Sequence, residues 1–359
     1  MTEGSENRPT DPDATPSGAT AKADADSAGD VDVIILSFNR VVDTKEAIAS
    51  ALGQTGVDVR VWVLDQGSEP SELAELEAFC EGKDRLVLHK VEQNLGVAGG
   101  RNYLTGLGSA PYVVGLDNDA EFLDERMLER AVTHMRQNPD IGALGFKIIN
   151  FFTRDNDALS WGYPKTDLND WQKEFFTTRY IGAGHCLLRP AIEKVGEYDE
   201  RLFFALEEID LCGRLINQGL KVKYYPEVAI YHKVSPEKRV EWGGGRYYFH
   251  VRNRLYIYLK YGTSWPAFTV LGLAYVLKGV LNGVAPQAVK GMRESISMYR
   301  AFLREDPYRP YYALTDEAQD YIRRYDTGIR GGLFGRLRRE VFARLPGQEP
   351  TAQKANSSD

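Results

Sequence analysis

The 359-residue sequence predicts an α/β protein with a mostly parallel sheet, helices on both faces of that sheet, and a mainly helical C-terminal region. Short apolar runs of the buried-strand kind alternate with helical segments through the first third of the chain, as in a parallel sheet. Polar residues follow these runs directly, at the sheet edge where open α/β folds bind ligands. From about residue 240 Arg, Tyr and Gly become frequent, and the pattern is mostly helical to residue 345.

The alternation begins at Val31 and is regular up to residue 116. It predicts four strands with three helices between them. In chain order these are strand 33–36, helix 45–52, strand 59–64, helix 71–80, strand 86–88, helix 97–107 and strand 112–116.

The two ends of the chain have a different composition. Residues 1–30 contain no large apolar residue after Met1 and carry seven acids against two bases, so this stretch cannot offset its own ordering entropy. It also lacks the apolar segment of a signal peptide. We predict disordered tails over 1–30 and 346–359, an α/β domain over 31–240, and a helical region over 241–345.

Charge is unevenly distributed along the sequence. The net charge of −7 excludes a simple nucleic-acid binder, which would be basic overall. Residues 221–345 nevertheless carry 22 basic against 11 acidic residues. This excess indicates an anionic partner, such as a membrane surface or a phosphate-bearing substrate, or else a solvated helical surface.

The stretch 261–277 has no charged residue, and a second uncharged run follows Lys278. It is shorter than the roughly 20 apolar residues of a spanning helix. We predict a helical hairpin that is buried or lies in the membrane interface. The cysteines, Cys80, Cys186 and Cys212, are too few for a disulfide framework or a zinc site, which fits a reducing cytosol. We expect a cytoplasmic protein, at the inner face of the membrane if its basic region contacts lipid.

The first motif with chemical content is Asp117-Asn118-Asp119, directly after the predicted strand 112–116. Carboxylates at positions i and i+2 can turn toward one site where a strand breaks into a loop. Hard divalent cations are usually held by one or two carboxylates together with substrate phosphates, so the motif predicts a cation that bridges a diphosphate. The alternative is a pair of turn or helix-cap residues.

A second motif, NLGVAGGRN over residues 94–102, combines small residues with one cation. Small residues permit close approach of the backbone to a ligand, or tight packing of a helix on the sheet. Arg101 would then enter the pocket as a fixed cation. A glycine-rich helix start with a surface arginine explains the pattern equally well.

Three acids, Glu207, Glu208 and Asp210, stand within four residues beside the apolar run 202–206. Crowded carboxylates raise one another's pKa, which suits a general base. Acids are also favoured at a helix N-terminus by the macrodipole, and this interpretation suits Asp210 best. His232 is a lone histidine after a predicted strand, which is usually structural but could complete the coordination of the cation.

Together these motifs resemble the family 2 glycosyltransferases, which have the GT-A fold, a Rossmann-like and mostly parallel sheet with helices on both faces. The resemblance runs from about Val31 to Lys233 and continues through 252–254. It is specific because several motifs occur in the family's order: SFNR (37–40), DQGS (65–68), NLGVAGGRN (94–102), DND (117–119), GAG (182–184), GEYDE (196–200), EEID (207–210) and His232.

The resemblance implies an inverting transfer of one sugar from a nucleoside diphosphate sugar to an acceptor hydroxyl. By this analogy Asp65 and Arg101 contact the nucleobase, and Asp117 contacts the ribose or diphosphate. Asp119, with Asp117 and His232, would hold Mg²⁺ or Mn²⁺. Glu208 would act as the base, with Glu207 as the second candidate. The other candidate substrate-binding residues are Ser37, Asn39, Asn118, Arg252 and Arg254. Of these, Arg252 and Arg254 would stabilise the departing diphosphate.

Two departures from the family pattern bear on these roles. The family's Glu-Asp pair is Glu207-Glu208 here, so the carboxylate at 208 reaches further outward. The family's Asp-Asn-Gly-Ser is DQGS over 65–68, which alters the donor pocket. The chain also lacks the Gln-Xaa-Xaa-Arg-Trp motif of processive synthases, which favours a single-addition enzyme of the hexosyltransferase type. Its layout is most similar to the rhamnosyltransferase-like group.

The partners implied are a nucleoside diphosphate sugar and a glycan, glycolipid or small-molecule acceptor, with no nucleic acid; a homo-oligomer stays open. The glycine-rich segment 242–246 would close over the donor, or serve as a linker. Two alternatives remain: a catalytically inactive nucleotide-sugar-binding or scaffold protein, and a sugar-phosphate nucleotidyltransferase. The second would need a Gly-rich, Lys- or Arg-bearing signature near the first strand, which FNRV over 38–41 is not.

Overall fold

The computed structural model describes residues 29–158, 160–163, 171–233, 245–326 and residue 345. The tails predicted over 1–30 and 346–359 lie outside these residues, apart from Gly29 and Asp30. The predicted domain boundaries therefore stay predictions.

The strands of the described chain are β1 (Val31–Ser37), β2 (Val59–Asp65), β3 (Leu86–Lys90), β4 (Tyr112–Leu116), β5 (Ala120–Phe122), β6 (Ile141–Asn150), β7 (Phe175–Thr177), β8 (Gly184–Leu188) and β9 (Lys221–His232). The helices are α1 (Val41–Leu52), α2 (Pro70–Cys80), α3 (Gly96–Thr105), α4 (Met127–Gln137), α5 (Arg189–Val195), α6 (Glu207–Asn217), α7 (Tyr247–Lys260), α8 (Trp265–Leu281), α9 (Ala285–Glu305) and α10 (Asp316–Tyr325).

All nine of these strands form one sheet, in the order β3-β2-β1-β4-β8-β6-β9-β5, with β7 paired to β9. β3, β2, β1 and β4 pair in parallel, and so do β6 and β9. β8 lies antiparallel between β4 and β6. The predicted mostly parallel sheet is thus confirmed, with antiparallel strands β5, β7 and β8 added to it.

The central strands are buried on both faces, which explains their nearly continuous apolar runs. In β1, Val31, Val33 and Ile35 belong to one hydrophobic core, whereas Ile34 belongs to the core on the opposite face. Side chains alternate between faces along a strand, so a strand covered by helices on both sides must be apolar at almost every position.

The seven predicted elements are all present; the strand 112–116 has its predicted ends, and the other six are shifted at one end or both. α1 begins at Val41, four residues before the prediction. Arg40 adopts the left-handed conformation (φ 57°, ψ 43°), and the Glu72 carboxylate accepts the Val41 N–H at 2.7 Å. This cap comes from α2, a distant segment, so local sequence signals cannot reveal it.

The C-terminal helices form their own hydrophobic core, with Tyr247, Leu255, Phe268 and Tyr275 at its centre. α7 joins this core to the sheet domain through a buried ion cluster. Lys260 Nζ lies 2.7 Å from Asp199 Oδ2 and 2.8 Å from Asp210 Oδ1, and all three side chains are buried. Asp210 thus pairs with a buried lysine in addition to its predicted place in the first turn of a helix.

A hairpin is present where the uncharged stretch predicts one: a short turn over 282–284 connects α8 and α9, and α9 continues beyond the uncharged run to Glu305. Within the ranges described above, no helix combines the length and the apolar composition needed to cross a bilayer.

Candidate active site

A cavity of about 810 Å³ opens where β1 and β4 end. Its walls come from the β1–α1 connection, the turn after β4, the segment before α6, and the start of α7. This is the sheet edge at which the sequence places the candidate site.

The Asp117-Asn118-Asp119 motif forms the turn between β4 and β5 and lines this cavity. β5 pairs antiparallel with β9, and the register sets Ala120 opposite His232. Strand pairing thus brings the lone histidine to the acidic motif. One ligand atom each from Asp117, Asp119 and His232 lies within 4.8 Å of the others, which makes this trio a candidate cation site.

His232 lies between two carboxylates. Its Nε2 is 3.4 Å from Asp119 Oδ1, and its Nδ1 is 3.6 Å from Asp157 Oδ2. Burial alone would lower the pKa of His232, but hydrogen bonds to Asp119 and Asp157 raise it to about 9. Asp157 orients the imidazole ring. It belongs to none of the predicted motifs, and no sequence signal singled it out.

Asp119 is held by two cations, against the effect of its burial. Arg40 Nη1 donates to Asp119 Oδ2 at 2.7 Å, and His232 contacts the other carboxylate oxygen. Burial acts to raise the pKa of Asp119, yet His232 and Arg40 hold that pKa below its usual range. The carboxylate is therefore ionised, as a metal ligand must be.

Arg101 connects the two acidic motifs. Its Nη2 lies 3.3 Å from Asp117 Oδ1 and donates to the Gly182 carbonyl at 2.8 Å, while its Nη1 lies 3.2 Å from Glu207 Oε1. Arg101 is 3% exposed and lines the cavity, so it is not the surface arginine of the alternative interpretation. Its predicted contact with the nucleobase stays a prediction.

Glu207 and Glu208 occupy the first turn of α6 and line the cavity, but their surroundings differ. Glu207 is buried and bound to Arg101. Glu208 is partly exposed, and burial together with the neighbouring Glu207 raises its pKa to about 8. Of the two carboxylates, Glu208 combines access from the cavity with a pKa suited to proton transfer near neutrality.

A strained segment positions this pair. Phe203, Ala205 and Leu206 all have positive φ, between 58° and 69°, immediately before α6. Such conformations cost of order 1–3 kcal/mol each in non-glycine residues and persist only where surrounding contacts impose them. Here Asn253 Nδ2 donates to the carbonyls of residues 202, 204 and 205, at 2.7–2.9 Å.

The prediction for Arg252 and Arg254 is not supported by their positions. Neither lines the cavity. Arg252 Nη2 donates to the carbonyls of Arg201 and Leu202, and Arg254 Nε donates to Tyr258. Arg252 thus fastens the segment before α6, because its position on α7 faces that segment and not the cavity.

Asp65 and Asn39 lie outside the cavity lining as well. Asp65 Oδ1 accepts the N–H groups of Gly67 and Ser68 at 3.2 and 3.0 Å, so the carboxylate closes its own loop. Asn39 Oδ1 accepts the N–H of Glu69 at 2.9 Å, beside the start of α2. The predicted nucleobase contact of Asp65 stays a prediction.

Ser37 and Asn118 do line the cavity, in agreement with their place among the candidate residues. Sequence reasoning did not single out other lining residues, chiefly Gln66 and His250. Of the predicted hinge 242–246, residues 242–244 lie outside the described residues, whereas Gly245 and Arg246 line the cavity.

Comparison with known proteins identifies the family. The model of the family described as glycosyl transferase family 2 matches residues 32–196. The chain belongs to glycosyl transferase family 2. An uncharacterized protein of Haemophilus influenzae is 32% identical over 170 residues, which are 46% of this chain and 91% of that protein. An uncharacterized glycosyltransferase of Methanocaldococcus jannaschii is 25% identical over 66% of this chain and 79% of its own length.

Other matches agree with this family. A pre-mycofactocin glycosyltransferase of Mycobacterium tuberculosis is 29% identical over 59% of this chain and 44% of its own length. Among solved structures, a mannosyltransferase from Pyrobaculum calidifontis, in complex with GDP-Man and Mn²⁺, superposes with a TM-score of 0.51 at 16% identity. The match covers 84% of this chain and 89% of that one. The fold is GT-A, and family and fold together support a glycosyl-transfer role.

Proposed function

We propose that this chain is an inverting, metal-dependent glycosyltransferase that moves one sugar from a nucleoside diphosphate sugar to an acceptor hydroxyl. One observation carries the proposal: a candidate cation site and a carboxylate of raised pKa line the same cavity, and Arg101 bridges their two motifs. Both an electrophile-activating group and a base are then available to a single displacement.

The residues fit a hard divalent cation. Asp117 and Asp119 supply carboxylate oxygens, and Asp157 holds the far side of the His232 ring. Because the pKa of His232 is raised to about 9, the ring would have to release its Nε2 proton when the cation binds. A second partner on the imidazole is the usual way in which a ligating histidine is oriented. When bound, Mn²⁺ or Mg²⁺ would neutralise the charge that develops on the departing diphosphate.

The chain's own groups account for the remaining steps. Glu208 takes the proton of the acceptor hydroxyl as that oxygen attacks the anomeric carbon. Arg101 supplies a fixed positive charge in the wall of the cavity. Burial raises the pKa of Glu207, and Arg101 opposes that shift. Because Glu207 is buried and Arg101 binds one of its oxygens, we assign Glu207 to raising the pKa of Glu208 and not to proton transfer.

The decisive experiment pairs metal binding with turnover. A panel of nucleotide-sugars is scored for thermal shift and for release of nucleoside diphosphate, with Mn²⁺ or Mg²⁺. Asp119→Asn should weaken Mn²⁺ binding, measured by electron paramagnetic resonance, and abolish metal-dependent turnover while the melting temperature stays within a few degrees. Asp124→Asn, an exposed carboxylate paired with Arg130, is the matched control.

Each alternative predicts a different outcome. Nucleotide-sugar binding without hydrolysis or transfer would favour the inactive binding protein. Formation of a nucleotide-sugar from a sugar phosphate would favour the nucleotidyltransferase. Full metal-dependent activity in Asp119→Asn would overturn the proposed site.

A further inference from the structure

The solvent-facing side of α8 is apolar along its whole length. Six large apolar side chains are 45–59% exposed there: Trp265, Val270, Leu273, Leu277, Val280 and Leu281. At 100° per residue they occupy one continuous face, opposite the buried Phe268 and Tyr275. Thr269 is the one polar residue within that face, which we call the α8 face. A helix that is apolar on all sides needs an apolar partner on its outer side.

The neighbouring helix presents positive charge to solvent. Lys290, Arg293, Arg300 and Arg304 are exposed and recur on α9 at spacings of three, seven and four residues. These spacings set them on a single row, which we call the α9 row. The two helices are antiparallel and in contact: the rings of Trp265 and Tyr299 are 6.3 Å apart, and Gly272 packs against Met292.

An apolar face beside a basic row matches one surface better than any other. Helices that lie in the membrane interface bury an apolar face at the acyl boundary and attract anionic headgroups with Lys and Arg. Trp265, at the end of the α8 face, belongs to the residue type enriched at headgroup level. A second copy of this chain would bring two basic rows together, and like charges across an interface are costly.

We infer that the α8 face and the α9 row together dock this protein on a lipid bilayer that contains anionic headgroups. Docking is peripheral, because the helices are in contact through Met292 and Tyr299 and α8 keeps its inner side in the protein core. α7 packs on α8 and α9 and lines the mouth of the cavity through Phe249 and His250. The bilayer surface would then lie on the side of the molecule that carries these helices.

The test uses the full chain and vesicles of two compositions, pure phosphatidylcholine and a 70:30 mixture with phosphatidylglycerol. Co-sedimentation should show binding to the anionic vesicles that weakens in high salt. Leu273→Gln with Leu277→Gln, which add no charge, should lower the partition coefficient at least tenfold. Arg293→Gln with Arg300→Gln should lower it about 30-fold on anionic vesicles, since each surface cation contributes about 1 kcal/mol.

Phe152→Gln is the matched control. Phe152 is 62% exposed but belongs to the sheet domain, so its replacement should leave binding unchanged. Each variant should keep the thermal unfolding temperature of the wild type, which separates lost docking from lost folding.

Three results would overturn the inference. They are absence of binding by the wild type, equal binding to both vesicle types, and a wild-type dimer that the Leu273 and Leu277 replacements convert to a monomer without lipid. Vesicle binding requires no turnover, so any of these results leaves the glycosyl-transfer proposal standing.

Discussion

Replacing Glu208 with glutamine tests the catalytic assignment most directly. The amide keeps the size of the side chain and removes its ability to accept a proton. A positioned general base contributes about 10²–10⁴-fold to rate, so kcat should fall by about that factor while donor affinity stays near the wild-type value. Glu208→Asp keeps a carboxylate, and matches the family's usual pair, so it should retain more activity than the amide.

The raised pKa of Glu208 sets the pH dependence of the wild type. With a pKa of about 8, the base is about one-tenth ionised at pH 7 and about nine-tenths ionised at pH 9. The value of kcat/KM should therefore rise about tenfold between these two pH values, because the ionised form is the active one. Glu208→Gln should show no such rise.

Stability should have the opposite dependence on pH. The folded-state pKa of Glu208 lies above the usual value of about 4.3, so the folded chain binds this proton more tightly than the unfolded chain. The contribution of Glu208 to stability is complete at low pH and is lost as pH rises through about 8. In Glu208→Gln this part of the pH dependence should disappear.

The assay is release of nucleoside diphosphate with the donor that gives the largest thermal shift. Glu193→Gln, an exposed position on α5, is the matched control and should behave as the wild type. If Glu208→Gln stays within threefold of the wild type and the wild-type profile is flat from pH 6.5 to 9, the assignment of the base is refuted.

Two further predictions concern the supports of the site. Gly96→Ala should lower kcat more than tenfold, because the new Cβ would lie 2.4 Å from the Phe203 carbonyl oxygen and displace the segment before α6. Gly82→Ala is the control: Gly82 has a similar φ, but no atom lies within 4 Å of the new Cβ, so this variant should stay active. Lys260→Met should lower the free energy of unfolding by about 3 kcal/mol in urea melts, since it removes the lysine that Asp199 and Asp210 share and leaves each buried carboxylate with one arginine, Arg201 and Arg214 respectively. The exposed Lys290→Met should change it by under about 0.5 kcal/mol, and equal melts for both lysine variants would contradict the reasoning.

The sequence predicts the strands and the acidic motifs well because their signals are local. A buried strand must be apolar at consecutive positions, and polar residues that follow such strands share one sheet edge. Asp117, Asp119 and His232 meet because β5 pairs with β9, a pairing that the sequence does not reveal. The motif order of the family supplied what local patterns could not.

Arg252 and Asn253 show where this reasoning fails. The motif Arg252-Asn253-Arg254 suggests contact with phosphate. Arginine and asparagine side chains are equally suited to donating hydrogen bonds to backbone carbonyls. The choice between these roles depends on what lies above α7, which is the segment 202–205 with its positive φ angles. Strain of that kind has no signature in apolar periodicity or charge.

The same contacts explain why the strain can persist. Asn253 is fully buried and binds three carbonyls of the segment, while the Phe203 carbonyl accepts the Val97 N–H at 2.6 Å from the opposite side. The segment is therefore held between α3, which carries Arg101, and α7, which belongs to the helical region. Glu207 and Glu208 follow it directly, so the position of the proposed base depends on both parts of the molecule. The helical region therefore contributes to the geometry of the proposed active site, through the hydrogen bonds that α7 donates to this segment.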